Sequence, residues 1–286
     1  MPTNWTDPMY LAPITSLFHP TDFSRSNGGA FAHSLRIALA AKCDLALLHV
    51  GQRGEEHGFD GFPSVREHLT RWGVLPADAT HQDVTELGIR VTKSQKVSSD
   101  PVEAIGKYVA EHLPDLVVLS THQRQGLARI RRPAVAEQIA RTARVRTLFV
   151  PRRVNGFVDA ESGEVRLKRI LVPIDHDPRP VAAIGAAASL ARTFGLTDVH
   201  FTLLFVGPEA ERPSAMIPDN PGWTREVVCE EGDVVEAILN ASDEREADLI
   251  VMATRGHDGF LDALRGTTTE RVLRGAKCPL LAVPAE

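Results

Sequence analysis

Residues 115–119 of this chain read DLVVL, and residues 248–252 repeat them as DLIVM. A continuous apolar run of this length indicates a strand buried on both faces, as in a parallel sheet that helices cover. The block before each run repeats at the same offset of 133 residues, because residues 100–105 (DPVEAI) return as residues 233–238 (DVVEAI). Each of these earlier blocks opens a segment with helical apolar spacing. The chain therefore contains the same helix and buried strand twice.

Two further blocks repeat in the same order at larger offsets. Residues 18–22 (FHPTD) return as residues 171–175 (LVPID), and residues 47–50 (LLHV) return as residues 203–206 (LLFV), at offsets of 153 and 156 residues. A period of domain size indicates two homologous domains rather than a solenoid. The offset falls from 156 to 133 residues, so the first copy carries 23 additional residues between its second and third blocks.

Both copies alternate short apolar runs with longer segments of helical periodicity. This order is typical of a doubly wound parallel α/β sheet, in which ligands bind beyond the carboxyl ends of the strands. We predict strands at residues 16–19, 45–50, 89–97, 116–120 and 147–150, and again at 170–174, 200–206, 224–229, 249–253 and 280–283. We predict helices at residues 30–42, 65–72, 101–112 and 134–142, and again at 181–194, 234–245 and 267–274.

The repeats also predict the domain boundaries, which are 1–152 and 168–286 with a connection at 153–167. In the connection, Phe157 and Val158 precede a polar Glu-Ser-Gly turn, and Val165 and Leu167 follow it. This pattern favours a small β-hairpin. A solvated linker is an equally open alternative.

The composition excludes several classes of protein. With 286 residues, of which 43% are hydrophobic, the chain can bury two cores. The formal net charge of −5 argues against general nucleic-acid binding, and the three widely spaced cysteines predict no disulfide framework. No signal-peptide pattern opens the chain, and no apolar run approaches the length of a membrane span. We expect a cytoplasmic protein with no membrane or nucleic-acid partner.

The clearest candidate site is the loop from Gly256 to Thr268 in the second copy. It follows an apolar strand and leads into a helix, whose first N–H groups can bind a phosphate. Gly256 and Gly266 let the backbone approach the ligand, and Thr267 and Thr268 add hydroxyl donors. Thr267 also lies three residues before Glu270, so a helix cap is the alternative interpretation.

The first copy lacks this loop, since its corresponding residues are Gln123, Pro133 and Ala134. The same segment carries a basic run, for which a solvated surface is favoured over an anion site: Arg124, Arg129, Arg131 and Arg132. The additional residues of this copy follow Val50, on the ligand side of the predicted sheet. Within them, residues 65–72 predict either a lid over the vacant site or an ordinary helix of the sheet layer.

A nucleoside would lie near Asp175 and Val206, which end the first two strands of the second copy. Asp175 can accept hydrogen bonds from a ribose or base, and Val206 can form an apolar wall. Helix capping and ordinary core packing are the alternatives. His176 and Asp177 adjoin this position, where loop exposure is favoured over contact with a ligand or metal. Other histidines lack metal-ligand spacing, and most of them are expected at the surface or at helix ends: His19, His49, His57, His68 and His81.

The second copy resembles the universal stress protein family in a specific set of motifs. They are residues 170–175 (ILVPID), 232–238 (GDVVEAI), 247–256 (ADLIVMATRG) and 266–284 (GTTTERVLRGAKCPLLAVP). With a weaker match in the first copy, the resemblance covers nearly the whole chain as a tandem pair. It implies two Rossmann-like domains, similar to the adenine nucleotide alpha hydrolases, each with five strands in the order 3-2-1-4-5.

The resemblance also implies the nucleotide-binding residues. Nucleotide-binding members of the family carry Gly-x2-Gly-x9-Gly-Ser/Thr, and the second copy matches this pattern except for Ala253 in place of the first glycine. The first copy keeps Pro20, Asp22 and Val50 but loses the loop, which implies a site that does not bind. The expected nucleotide-binding residues are Pro173, Ile174, Asp175, Val206, Ala253, Thr254, Arg255, Gly256, Gly266, Thr267 and Thr268.

These implications predict a stress-response protein that binds ATP in its second domain as a regulatory ligand, with Mg²⁺ as a further candidate. No Walker-type lysine follows the glycines and no general base is evident, so efficient catalysis is not expected. Slow Mg²⁺-dependent ATP hydrolysis and a non-binding interaction scaffold are the alternatives. The last strand of each copy is apolar, which predicts an intramolecular pseudo-dimer. A homodimer is the further candidate.

Overall fold

The computed structural model describes residues 13–24, 28–51, 58–121, 145–152, 154, 156–255 and 268–285. The chain separates into two compact units, Ile14–Arg166 and Leu167–Glu286. We call them the first and second units. The predicted helix at 134–142 and the basic run from Arg124 to Arg132 lie outside the described residues.

The first unit is a parallel sheet with helices between its strands, in the order β3-β2-β1-β4-β5. Apolar side chains of β1 and α1, such as Phe18 and Leu35, are fully buried in its core. Its elements are β1 (Ser16–Thr21), α1 (Gly28–Ala41), β2 (Asp44–Gly51), α2 (Val65–Arg71), α3 (His81–Glu86), β3 (Arg90–Val97), α4 (Pro101–His112), β4 (Leu116–Thr121) and β5 (Arg146–Pro151).

The second unit repeats this topology, with parallel strands in the order β8-β7-β6-β9-β10. Its elements are β6 (Arg169–Pro173), α5 (Val181–Thr193), β7 (Val199–Val206), β8 (Trp223–Glu230), α6 (Val234–Glu244), β9 (Leu249–Arg255), α7 (Thr268–Gly275) and β10 (Leu280–Ala285). Both units therefore have the strand order 3-2-1-4-5, and the predicted fold class is confirmed.

In each unit, an aspartate before the fourth strand is hydrogen-bonded to the backbone at the start of the first strand. Asp115, which precedes β4, accepts hydrogen bonds from the backbone N–H groups of Thr15 at 2.8 Å and Ser16 at 2.9 Å. Asp248, which precedes β9, accepts two from the start of β6, both at 2.8 Å. Burial raises the pKa of Asp115, but the hydrogen bonds from Thr15 and Ser16 outweigh it and leave that pKa below its ordinary value. These repeated carboxylates are structural.

Helix capping accounts for a second repeated pair of aspartates. It also accounts for one helix that the sequence did not predict. Asp100 caps α4 and Asp233 caps α6, each accepting hydrogen bonds from two backbone N–H groups of the first turn. The missed helix is α3, where Thr80 and Asp83 form a capping box. Val84 is the only buried side chain of α3, so the helix has no apolar periodicity to detect.

Residues 156–166 form a small hairpin that packs on the first unit. Val158 pairs with Val165 in an antiparallel bridge, and the Phe157 ring is buried with its centroid 4.5 Å from that of His33 in α1. Trp72 donates from Nε1 to the carbonyl oxygen of Ala160 at 3.1 Å. Of the two interpretations of this connection, the structure shows the hairpin.

Two of these histidines lie instead inside strands. His19 lies in β1 and His49 in β2, and both are buried. The Nδ1 atom of His19 lies 2.9 Å from the carbonyl oxygen of Val118, and that of His49 lies 2.9 Å from the carbonyl oxygen of Thr21. Burial lowers the pKa of His19 to about 4. The His19 imidazole can enter β1 because it is neutral and hydrogen-bonded to a carbonyl.

Candidate functional site

The candidate site lies at the carboxyl edge of the second sheet. Strand β6 pairs with β7 on one side and β9 on the other, all in parallel, so the three strands end at the same edge. They end at Pro173, Val206 and Arg255. Because the topology reverses direction at β6, this edge is where a doubly wound sheet binds ligands.

Asp175 follows β6 by two residues rather than ending the strand, and it is exposed. Its Oδ1 atom accepts a hydrogen bond from the backbone N–H of His176 at 2.6 Å. Ile174, which was expected to contact the nucleotide, is only 4% exposed, and its N–H donates to the carbonyl oxygen of Leu204 at 2.8 Å. The side chain of Ile174 therefore packs in the core and holds the loop at the position from which Asp175 projects.

The His176 ring connects the loop after β6 to the segment after β7. Its Nε2 atom lies 2.7 Å from the carbonyl oxygen of Glu211. Because a carbonyl only accepts, Nε2 carries the proton. The ring centroid lies 6.5 Å from that of Phe205, edge to face, beside half-buried Val206. His176 is exposed in this loop, as the sequence predicted, but nothing local indicated that Glu211 would lie within reach.

The end of β9 places three further expected residues at this edge. Ala253 and Thr254 are half-buried and pair with Val283 and Pro284 of β10. Arg255 is exposed, and its Nη2 atom lies 2.7 Å from Oδ2 of Asp177. The loop after β6 is therefore tied to β9 by an ion pair.

The phosphate loop itself lies mainly outside the described residues, and this includes Gly256, Gly266 and Thr267. Thr268 is exposed and is the first residue of α7. Both arginines of α7 pair with carboxylates. Arg271 Nη2 lies 3.4 Å from Oδ1 of Asp233, and Arg274 is ion-paired with buried Glu270.

At the corresponding edge of the first unit, the equivalent carboxylate is paired with an arginine of the same unit. Asp22, the counterpart of Asp175, is ion-paired with Arg152, whose side chain is only 12% exposed. Arg152 also donates from Nε to Ser120 Oγ at 2.8 Å and from Nη1 to Ser24 Oγ at 3.2 Å. Partial burial raises the pKa of Asp22, but the hydrogen bonds from Ser24 and Arg152 leave it below its ordinary value.

Aromatic rings cover the same edge of the first unit. Phe23 stacks on His49 with centroids 3.7 Å apart, and Phe62 meets Phe23 edge-on at 4.9 Å. Phe62 comes from the additional residues of this copy and is only 4% exposed. Phe23 and His49 are the counterparts of His176 and Phe205, so the ring pair is present in both units with the two residue types exchanged.

The predicted helix of the additional segment forms as α2, and its described contacts are with α1 rather than with the strand ends. In α2, His68 packs its ring against Phe31 of α1 with centroids 4.8 Å apart, and Leu69 is fully buried. Trp72, just beyond α2, bonds to the hairpin. The cover at the strand ends is Phe62, which precedes the helix, and α2 itself contacts α1.

The part of the chain that the structure describes contains neither a metal-binding cluster nor a membrane-spanning helix. No group of three or more His, Cys, Asp or Glu side chains there is placed to hold a metal ion. Within the same residues, no helix is both long and apolar enough to cross a membrane.

Comparison with known proteins finds a match to the model of the universal stress protein family over residues 17–151 and 207–284. A universal stress protein of Methanocaldococcus jannaschii is 28% identical over 144 residues, covering 43% of this chain and 85% of that protein. Another from a Synechocystis species is 25% identical over 142 residues, covering 44% of this chain and 90% of that protein.

Two solved structures share the fold along almost the whole chain. A universal stress protein from Archaeoglobus fulgidus is 19% identical with a TM-score of 0.59, covering 94% of this chain and 98% of that one. A Pseudomonas aeruginosa protein of unknown function is 15% identical with a TM-score of 0.63, covering 97% of this chain and 95% of that one.

Proposed function

Because the chain belongs to the universal stress protein family, we propose that it is a stress-response regulator that binds one ATP molecule at the candidate site of its second unit. The observation that carries this proposal is the contrast between two corresponding carboxylates. Asp175 projects into solvent at the edge of the second sheet, whereas Asp22 is ion-paired with Arg152. Phe23 and Phe62 further cover the first site.

The ligand groups follow from the chemistry of each residue. Asp175 accepts hydrogen bonds from the ribose hydroxyls or the amino group of the base, and Val206 packs against the base. The glycines and threonines from Gly256 to Thr268 supply the N–H and hydroxyl donors that phosphates require. Ala253 replaces a glycine of the family pattern with one methyl group.

Titration calorimetry of the purified chain with ATP tests the proposal. We expect about one site per chain, and two sites would refute it. Asp175→Asn should weaken ATP binding roughly tenfold, because a charge-assisted hydrogen bond is lost. The matched control is Asp22→Asn in the first unit, which should leave ATP affinity unchanged once circular dichroism shows that the variant is folded.

The alternatives predict different measurements. A slow Mg²⁺-dependent ATPase would release phosphate from ATP at high protein concentration, and Asp175→Asn would reduce that rate. An interaction scaffold would bind no adenine nucleotide in the titration, and a heat-denatured sample of freshly purified protein would release none. The pseudo-dimer and the homodimer stay predictions, which light scattering and small-angle scattering in solution would test.

A further inference from the structure

The loop after β6 is held from two sides. On one side His176 reaches the carbonyl oxygen of Glu211 at 2.7 Å. On the other side Oδ2 of Asp177 lies 2.7 Å from Nη2 of Arg255, which also lies 3.4 Å from the carbonyl oxygen of Asp177. Arg255 immediately precedes Gly256, the first glycine of the phosphate loop. The carboxylate of Asp177 is therefore ion-paired with Arg255 at the end of the candidate site where the phosphates are expected.

The ion pair is exposed enough for a phosphate to replace the Asp177 carboxylate on Arg255. The side chain of Arg255 is 54% exposed and that of Asp177 is 71% exposed, so water screens their attraction. A guanidinium binds two oxygens of a phosphate in the same planar geometry in which it binds a carboxylate. A polyphosphate chain carries several negative charges, whereas Asp177 carries one.

We propose that Asp177 is an internal competitor for the polyphosphate, holding Arg255 until a ligand with enough negative charge replaces it. This inference rests on the proposed function and adds a selection step to it. A triphosphate displaces Asp177, whereas a nucleoside has nothing with which to do so. Nucleotides with a single phosphate group lie between these cases.

Asp177→Asn distinguishes this role from a structural one by the sign of its effect. If Asp177 is a competitor, the variant should bind ATP about two- to fivefold more tightly, which is the range expected from an exposed ion pair. It should bind adenosine as the wild type does. The gain should be smaller for AMP and for cyclic AMP, and should shrink as salt is added. A purely structural tie predicts the opposite, with weaker binding of ATP and adenosine alike because the loop is less ordered.

Arg255 and a charge-matched control complete the experiment. Arg255→Ala should weaken ATP binding and leave adenosine binding unchanged, and adding Asp177→Asn to it should give no further gain. Glu209→Gln removes an equal charge from the segment after β7 and should leave ATP affinity unchanged. If Asp177→Asn still tightens ATP binding when Arg255 is absent, Asp177 is not the competitor, although the proposed function stands. The same conclusion follows if Asp177→Asn gives no gain in a protein that binds ATP. Absence of ATP binding in the wild-type and Asp177→Asn proteins alike would refute the proposed function as well.

Discussion

Replacing His33 with leucine should change how the stability of the first unit depends on pH. His33 lies in α1 with no exposed surface. Its Nδ1 atom lies 2.7 Å from the carbonyl oxygen of Gly29, and its Nε2 atom lies 3.2 Å from the backbone nitrogen of Val158 in the hairpin. A carbonyl only accepts and an N–H only donates, so the ring is neutral, with its proton on Nδ1. Protonating Nε2 would remove the hydrogen bond from Val158.

The size of the effect follows from the pKa of His33, which burial lowers from 6.5 to about 4. In the unfolded chain this imidazole takes up a proton below pH 6.5, while in the folded chain it stays neutral until about pH 4. The unfolded state therefore binds more protons in this window, and stability falls as the pH falls. The loss from this residue is about 2 kcal/mol between pH 7 and pH 5, and about 3 kcal/mol by pH 4.

Urea denaturation of both proteins at pH 7, 6 and 5 measures this difference. At pH 7, His33→Leu should lower the free energy of unfolding by about 1 to 3 kcal/mol, because the buried N–H of Val158 loses its acceptor and the half-buried carbonyl of Gly29 loses one donor. By pH 5 the gap between the two proteins should shrink by about 2 kcal/mol, because only the wild type carries the His33 penalty. Buried His19 titrates in both proteins, so its contribution cancels.

Amide hydrogen exchange at Val158 gives a local measurement of the same bond. Corrected for intrinsic chemistry, its protection in the wild type should fall towards pH 5, and in His33→Leu it should be low throughout. A stability gap that stays constant between pH 7 and pH 5, together with unchanged protection of Val158, would show that His33 does not carry this pH dependence.

Three further predictions concern single positions. Gly222→Ala should destabilise the second unit by about 2 kcal/mol or more in urea denaturation, because φ is +81° there and a Cβ atom would lie 2.0 Å from the carbonyl oxygen of Thr197. Arg152→Ala should cost the first unit about 1 to 2 kcal/mol at pH 7, since half-exposed Asp22 loses its charged partner and water compensates in part. Because the folded-state pKa of Asp22 is lowered, that cost should diminish in acid as the carboxylate is protonated. Gly266→Gln should abolish ATP binding in calorimetry without unfolding the chain, because a side chain would enter the phosphate space. A folded variant that still binds ATP would show that the phosphate lies elsewhere.

The amino-acid sequence by itself determined the fold and most element boundaries. The apolar runs around residues 116–120 and 249–253 indicate buried strands because both faces must leave water, whatever the rest of the chain does. Asp100 and Asp233 mark the starts of α4 and α6 because a capping carboxylate acts within two or three residues of its own position. Their repetition was sufficient to predict two similar units. The same local signals failed at α3, which has one buried side chain.

Tertiary structure alone decided which polar and aromatic groups meet at the strand ends. Arg152 pairs with Asp22 across 130 residues of sequence, and Val158 bonds to His33 across 125. No local period encodes such a pairing, because the partner is selected by the path of the chain and by the exclusion of water. The sequence therefore predicted that Asp22 and Asp175 are corresponding residues. Only the folded chain shows that Arg152 binds Asp22, while Asp175 projects into solvent.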